Sequence, residues 1–163
     1  MATAPRKTST AARKTTATKT TRAAAQPDAI ALLRADHKRV SALFEQYEST
    51  RSAAKKKTLV ATICQELTVH AQIEEEIFYP AVKAALKDKE LVPEAQVEHQ
   101  SLKDLIAQVK DKEPDGEMFD AKIKVMSEYV KHHVKEEQNE MFVRAKKTRL
   151  DMPVAASSSP VAA

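Results

Sequence analysis

The chain has 163 residues, a net charge of +4, a single Gly and a single Cys, which is enough for one domain with a substantial core and room for tails. With few aromatics and many Ala, Lys, Glu and Leu, it favours helices over a sheet, and the expected class is all-α. Cys64 has no partner for an internal disulfide, no apolar run reaches the roughly 18 residues of a membrane span, and nothing near Met1 resembles a secretory signal; a soluble, cytoplasmic protein with no membrane partner is expected.

Residues 1–27 carry six basic side chains (Arg6, Lys7, Arg13, Lys14, Lys19, Arg22) and no acid, which leaves the rest of the chain at −2. They lack large apolar side chains after Met1, so they are expected to be a disordered basic tail. Spaced Lys and Arg of this kind suit non-specific nucleic-acid binding through counterion release, or simply solubility.

Pro27-Asp28 reads as a helix start. A first helix to about Ser49 places Ile30, Leu33, His37, Val40, Phe44 and Tyr47 on one apolar stripe. A second helix from Ser52 carries Leu59, Ile63, Leu67, His70, Ile73, Glu74 and Ile77 inward, and Pro80 should end or kink it. A third, from Val92-Pro93 to about Lys110, presents Val92, Gln96, His99, Leu102, Leu105, Ile106 and Val109. After the turn Glu113-Pro114-Asp115-Gly116, a fourth runs from about Glu117 to Thr148, burying Phe119, Ile123, Met126, Val130, His133, Glu137 and Met141. Four amphipathic helices on short links predict an up-down-up-down antiparallel four-helix bundle over 28–148, followed by a short disordered tail over 149–163.

The chain also repeats itself. His70-x3-Glu74 and His133-x3-Glu137 are 63 positions apart, each within an acidic run and each followed by an apolar-aromatic pair eight and nine residues after the His. Asp36-His37 and Glu98-His99, 62 positions apart, each open the pattern acid-His-x-x-apolar-x-x-Leu-apolar-x-Gln. The first two helices are therefore one hairpin and the last two a second copy. In an antiparallel bundle the copies bring His37, His70, Glu74, His99, His133 and Glu137 to one level of the core. Buried together without a partner they would cost several kcal/mol per charged group, a problem that a metal removes. His132 fails the same test, since its neighbours Lys135, Glu136 and Asn139 lie on the wet face, and Glu75, Glu76, Glu136 and Glu140 read as solvated. Imidazole and carboxylate without thiolate favour iron or manganese over structural zinc.

With these residues the sequence resembles the hemerythrin-like, or HHE cation-binding, domains over roughly 28–148. The resemblance implies a non-haem di-iron centre bridged by Glu74 and Glu137, with His37 and His70 on one iron and His99 and His133 on the other. It also implies binding or sensing of a small ligand (oxygen, nitric oxide or iron itself); a sensed signal would then have to run through an unidentified protein partner or the basic tail. The alternatives are a small redox enzyme acting on peroxide or nitric oxide and a DNA-associated iron protein acting through residues 1–27. Oxygen carriers of the family have a fifth histidine where this chain has Lys103 or Ala95, a departure that weighs against reversible oxygen carriage. Tyr129 and Glu66, one turn before His133 and His70, are candidates to orient a ligand or move a proton beside the metal ligands.

Overall fold

In a computed structural model of the chain, described for residues 28–87 and 89–148, every regular element is helical. The expected tails, 1–27 and 149–163, lie outside the described residues. Asp28 caps α1 (Ala29–Ser49) by accepting from the Ile30 N–H, and Ser52 caps α2 (Ala53–Ile73) by accepting from the Lys55 N–H. Helix α2 passes through a π-helical turn, Glu74–Phe78, into α3 (Tyr79–Leu86), which Lys87 closes in the left-handed conformation. Helix α4 spans Leu91–Val109. Helix α5 (Gly116–Glu136) passes through a second π turn, Glu137–Met141, into α6 (Phe142–Lys147). Gly116, the only glycine, sits at φ 77°, a conformation that costs a side-chain-bearing residue dearly.

Helix α1 packs on α2 and α5, and α4 packs on the same two, so the four long helices form a square of antiparallel neighbours. The apolar interior is split into two clusters. One runs from Val40, Phe44 and Tyr47 across Ile63, Leu67, Ile106, Ile123 and Met126. The other gathers Ile30, Leu33, Phe78, Tyr79, Val82, Val92, Met141 and Phe142 around the helical extensions. A layer of buried polar side chains separates them: His37, His70, Glu74, His99, His133 and Glu137.

The inward stripe of α1 is as the 3.6-residue period predicts. Past His70 and His133 the period alone fails, and the two π turns explain why. Each begins on a cage glutamate, and the Tyr79 and Phe142 N–H groups donate five residues back, to the Glu74 and Glu137 carbonyls. The extra residue per turn advances the inward face by one position, burying Phe78 and Tyr79 on one side and Met141 and Phe142 on the other. Ile77, expected inside, is therefore only half-buried; Ile73, just before the π turn, and Gln96, whose place in α4 is taken by Ala95, are exposed. Pro80 does not end the helix: it lies just past the π turn, at the start of α3.

Candidate metal centre

The two hairpins deliver their polar residues to one point because each contributes one His from its first helix and a His-x3-Glu pair from its second. His70 and Glu74 share a helix face, with His70 Nε2 3.0 Å from Glu74 Oε1. The groups fall into two sets. His37, His70, Glu74 and Glu137 form one, and Glu74, His99 and His133 the other, each with its donor atoms within 4.8 Å of one another. Glu74 is common to both: Oε1 faces His70 and His37, whereas Oε2 lies 3.3 Å from His99 Nε2. Glu137, expected to bridge as Glu74 does, falls in the first set alone, with Oε2 3.2 Å from His37 Nε2.

The spacings suit cation ligation. Donors adjacent on an octahedron with bonds of about 2.1 Å are roughly 3.0 Å apart. His37 and His70 bring their Nε2 atoms to 2.9 Å, and His99 and His133 bring theirs to 3.2 Å. Glu74 Oε1, both Glu137 oxygens and His70 Nδ1 are buried with no hydrogen-bond partner. Polar atoms in such a position normally find one, and a cation among them supplies it for the carboxylates.

Behind each imidazole stands an outward partner. Glu75 Oε1 is 3.0 Å from His99 Nδ1, Glu98 Oε2 is 2.7 Å from His133 Nδ1, the Gln138 amide is 3.1 Å from His37 Nδ1, and Asp36 Oδ2 is 3.7 Å from His70 Nδ1. The partners obey the two-fold repeat. Asp36 and Glu98 each precede one histidine and serve the other histidine of their own hairpin, whereas Glu75 and Gln138 each follow a cage glutamate and reach across to the opposite hairpin. Such partners set the ring orientation and leave Nε2 for the ion. Lys103, at one of the places of the absent fifth histidine, holds Glu75 with both carboxylate oxygens at 2.7 Å. Arg34 similarly holds Gln138, through its side-chain and backbone oxygens. Glu75, expected to be solvated, is thus engaged on both sides.

The charges are strongly coupled. Burial disfavours a charged imidazole, yet Glu74 and Asp36 outweigh it at His70 and lift its pKa to about 10. At His133 burial is likewise outweighed, by Glu74 and Glu98, again reaching about 10. Burial also raises a carboxyl, but the surrounding His70, His133 and His37 hold Glu74 well below the usual range. Glu137 goes the other way, pushed up by burial and by the Glu74 charge.

The remaining expected residues lie away from this point. Tyr129 is 50% exposed and lines the mouth of a cavity of about 290 Å³ whose inner wall includes all four cage histidines. Glu66 meets Arg39 at the surface. His132 lies on the wet face, between Glu98 and Glu136. One residue that sequence reasoning passed over is Tyr79, 1% exposed, with its hydroxyl 3.2 Å from His99 Nε2 and 3.4 Å from both His133 Nε2 and Glu74 Oε2. Its position nine residues after His70, matched by Phe142 nine after His133, was a signal for it.

A square antiparallel bundle with a buried layer of imidazoles and carboxylates defines a metal-binding helical protein. Residues 28–145 match the family model described as the hemerythrin HHE cation-binding domain, and the chain belongs to that family. It is also similar to a DNA nickase of Nostoc sp. (strain PCC 7120), 28% identical over 111 residues, a segment covering 68% of this chain and 31% of that protein. The chain thus spans about a third of the relative's length. No solved structure matches. Among the described residues no helix is long and apolar enough to cross a membrane.

Proposed function

We propose that the cage holds two non-haem iron ions, one on His37, His70 and Glu137 and one on His99 and His133, with Glu74 shared between them, and that the protein binds or senses a small ligand there. The observation that carries this reading is the donor spacing: two pairs of Nε2 atoms at 2.9 and 3.2 Å on either side of one carboxylate whose oxygens face opposite ways. Imidazoles and carboxylates together suit iron or manganese. When bound, such a pair supplies open coordination positions and one-electron chemistry.

The chain's own residues do the rest. Glu75, Glu98 and Gln138 hold Nδ1 of His99, His133 and His37 and so keep those rings turned with Nε2 inward, while the Asp36 carboxylate lies on the outer side of His70 at 3.7 Å. Phe78, Met141 and Phe142 close the layer from one side. On the other side the cavity reaches the cage past Val40, Leu67, Ala71, Leu102 and Val130. Its apolar walls favour a small uncharged molecule such as oxygen or nitric oxide over a hydrated ion. Anaerobic loading with ferrous iron, followed by optical spectra before and after air, nitric oxide and peroxide, tests this. A lasting spectral change with oxygen or nitric oxide supports binding or sensing. Peroxide consumed over many turnovers would instead favour the redox enzyme.

The Nostoc relative supports a second reading, a protein that works on or beside DNA, with the basic residues 1–27 as the contact. Salt-dependent retention on DNA, lost on deleting those residues, supports it; retention that deletion leaves unchanged overturns it.

A further inference from the structure

The two halves of the cage are not chemically equal. By the reading above, the ion on the His37 side has four donors: His37, His70, one oxygen of Glu74 and Glu137. The ion on the His99 side has three: His99, His133 and the other oxygen of Glu74. No further histidine makes up the difference, since His132 lies on the wet face beside Glu136 and Lys103 points to Glu75.

Tyr79 stands where the missing donor belongs. Its oxygen is 3.2, 3.4 and 3.4 Å from His99 Nε2, His133 Nε2 and Glu74 Oε2. These lengths are close to the roughly 3.0 Å edges between neighbouring donors around one ion. A phenol serving only as a hydrogen-bond donor needs one good acceptor at about 2.7–2.8 Å; this one is spread over three atoms, all at longer distances. The π turn is what puts it there, because without the inserted residue the inward face would carry Ile77 and Phe78. Its counterpart in the second hairpin, Phe142, has no donor atom and lies parallel to the His37 ring, with centroids 5.9 Å apart and planes at 4°. The side that lacks Glu137 therefore has the phenol, and the side that has Glu137 has the phenyl.

We propose that Tyr79 is a protein ligand of the ion held by His99, His133 and Glu74. On ligation the Tyr79 O–H bond breaks, its proton leaves to solvent, and an oxygen–metal bond forms, with no change of oxidation state. Each half of the cage then has four protein donors, but of different kinds: an extra carboxylate on the His37 side and a phenolate on the His99 side. A phenolate is a hard anionic donor, and the imidazole beside it is backed by the Glu75 carboxylate, whereas His37 is backed by a neutral amide. The His99 side is thereby suited to the ferric ion, and the two ions are distinguishable by oxidation.

This inference rests on the two-iron reading, and its test separates the two. The full-length chain is loaded with iron, oxidised with ferricyanide, assayed for bound metal and examined by visible absorption and resonance Raman spectroscopy. The expected result is two ions per chain with a phenolate-to-ferric charge-transfer band whose enhanced ring modes shift when ring-deuterated tyrosine is incorporated. That labelling needs no variant to fold. Y79F, a change to the ring type that already occupies the Phe142 position, is expected to lose the band while retaining iron, and Y129F to keep it. Two ions without the band, or a band that survives in Y79F or vanishes in Y129F, overturns the assignment of Tyr79 alone. Fewer than one ion per wild-type chain overturns the two-iron reading and the Tyr79 ligand with it.

Discussion

Glu74 and Glu137 occupy matching positions in the repeat, yet neutral replacements should affect the metal-free protein very differently. Glu74 is fully buried and ionised, held so by the imidazoles around it. His70 is lifted to about 10 largely by that charge. Folded-state stabilisation of the imidazolium between pH 7 and a pKa of about 10 is worth about 4 kcal/mol at 1.36 kcal/mol per unit. Asp36 supplies part of it, and Glu74 supports His133 in the same way. Breaking a buried pair typically costs ~3–5 kcal/mol, so E74Q should destabilise the chelator-treated protein by about 4 kcal/mol at pH 7. Burial and the Glu74 charge both disfavour the Glu137 carboxylate, so E137Q, which removes that charge, should cost clearly less than E74Q. The pH dependence follows. An imidazole whose folded pKa is raised contributes fully below its unfolded value of about 6.5 and loses that contribution as pH rises through about 10. Glu74, with a lowered folded pKa, contributes above about 4.5 and loses this as pH falls. The E74Q deficit should therefore be largest near neutrality and shrink toward pH 10. Urea unfolding followed by far-UV circular dichroism measures it. Equal stability of E74Q and E137Q at pH 7 would refute this account of the buried charges.

Other outcomes follow from the same structure. E75Q should loosen His99 and weaken iron binding about 10–100-fold, measured by competition with a chelator, whereas K103A, which removes the brace on Glu75, should have a smaller effect. F142A removes a fully buried ring that packs on His37 and Phe78 and should cost about 3–5 kcal/mol in chemical unfolding. Burial raises the Cys64 thiol to about 11, so at pH 8.5 the native chain should react with iodoacetamide at least about 100-fold more slowly than the denatured one. The sign for stability is that burying neutral Cys64 costs nothing below the unfolded pKa of about 8.5 and weakens the fold as pH rises above it.

How much of this was legible in the sequence depends on how far each residue's role is local. His37 on an apolar stripe, and the matched spacing of His70-Glu74 and His133-Glu137, revealed the bundle and the level of its polar layer because helical period alone places them. Tyr79 was hidden because its burial depends on the π turn, which a regular 3.6-residue period does not contain, and Ile77 was misplaced for the same reason. Glu75 looked solvated because its partner His99 is on the opposite hairpin. Asp36 and Glu98 stood out as part of the repeat, but each serves the histidine of the neighbouring helix rather than the one beside it, a relation fixed by packing. The functional weight of Lys103 as a brace for Glu75, rather than a gap in the ligand set, emerged only with the fold.

The most direct test of the central claim is the iron content of the anaerobically loaded, desalted chain, measured by elemental mass spectrometry beside E74Q, in which the carboxylate shared by both halves is neutral. Two ions per wild-type chain and fewer than one in E74Q are expected. Fewer than one ion in the wild type, or two retained in E74Q, would contradict a two-ion cage centred on Glu74.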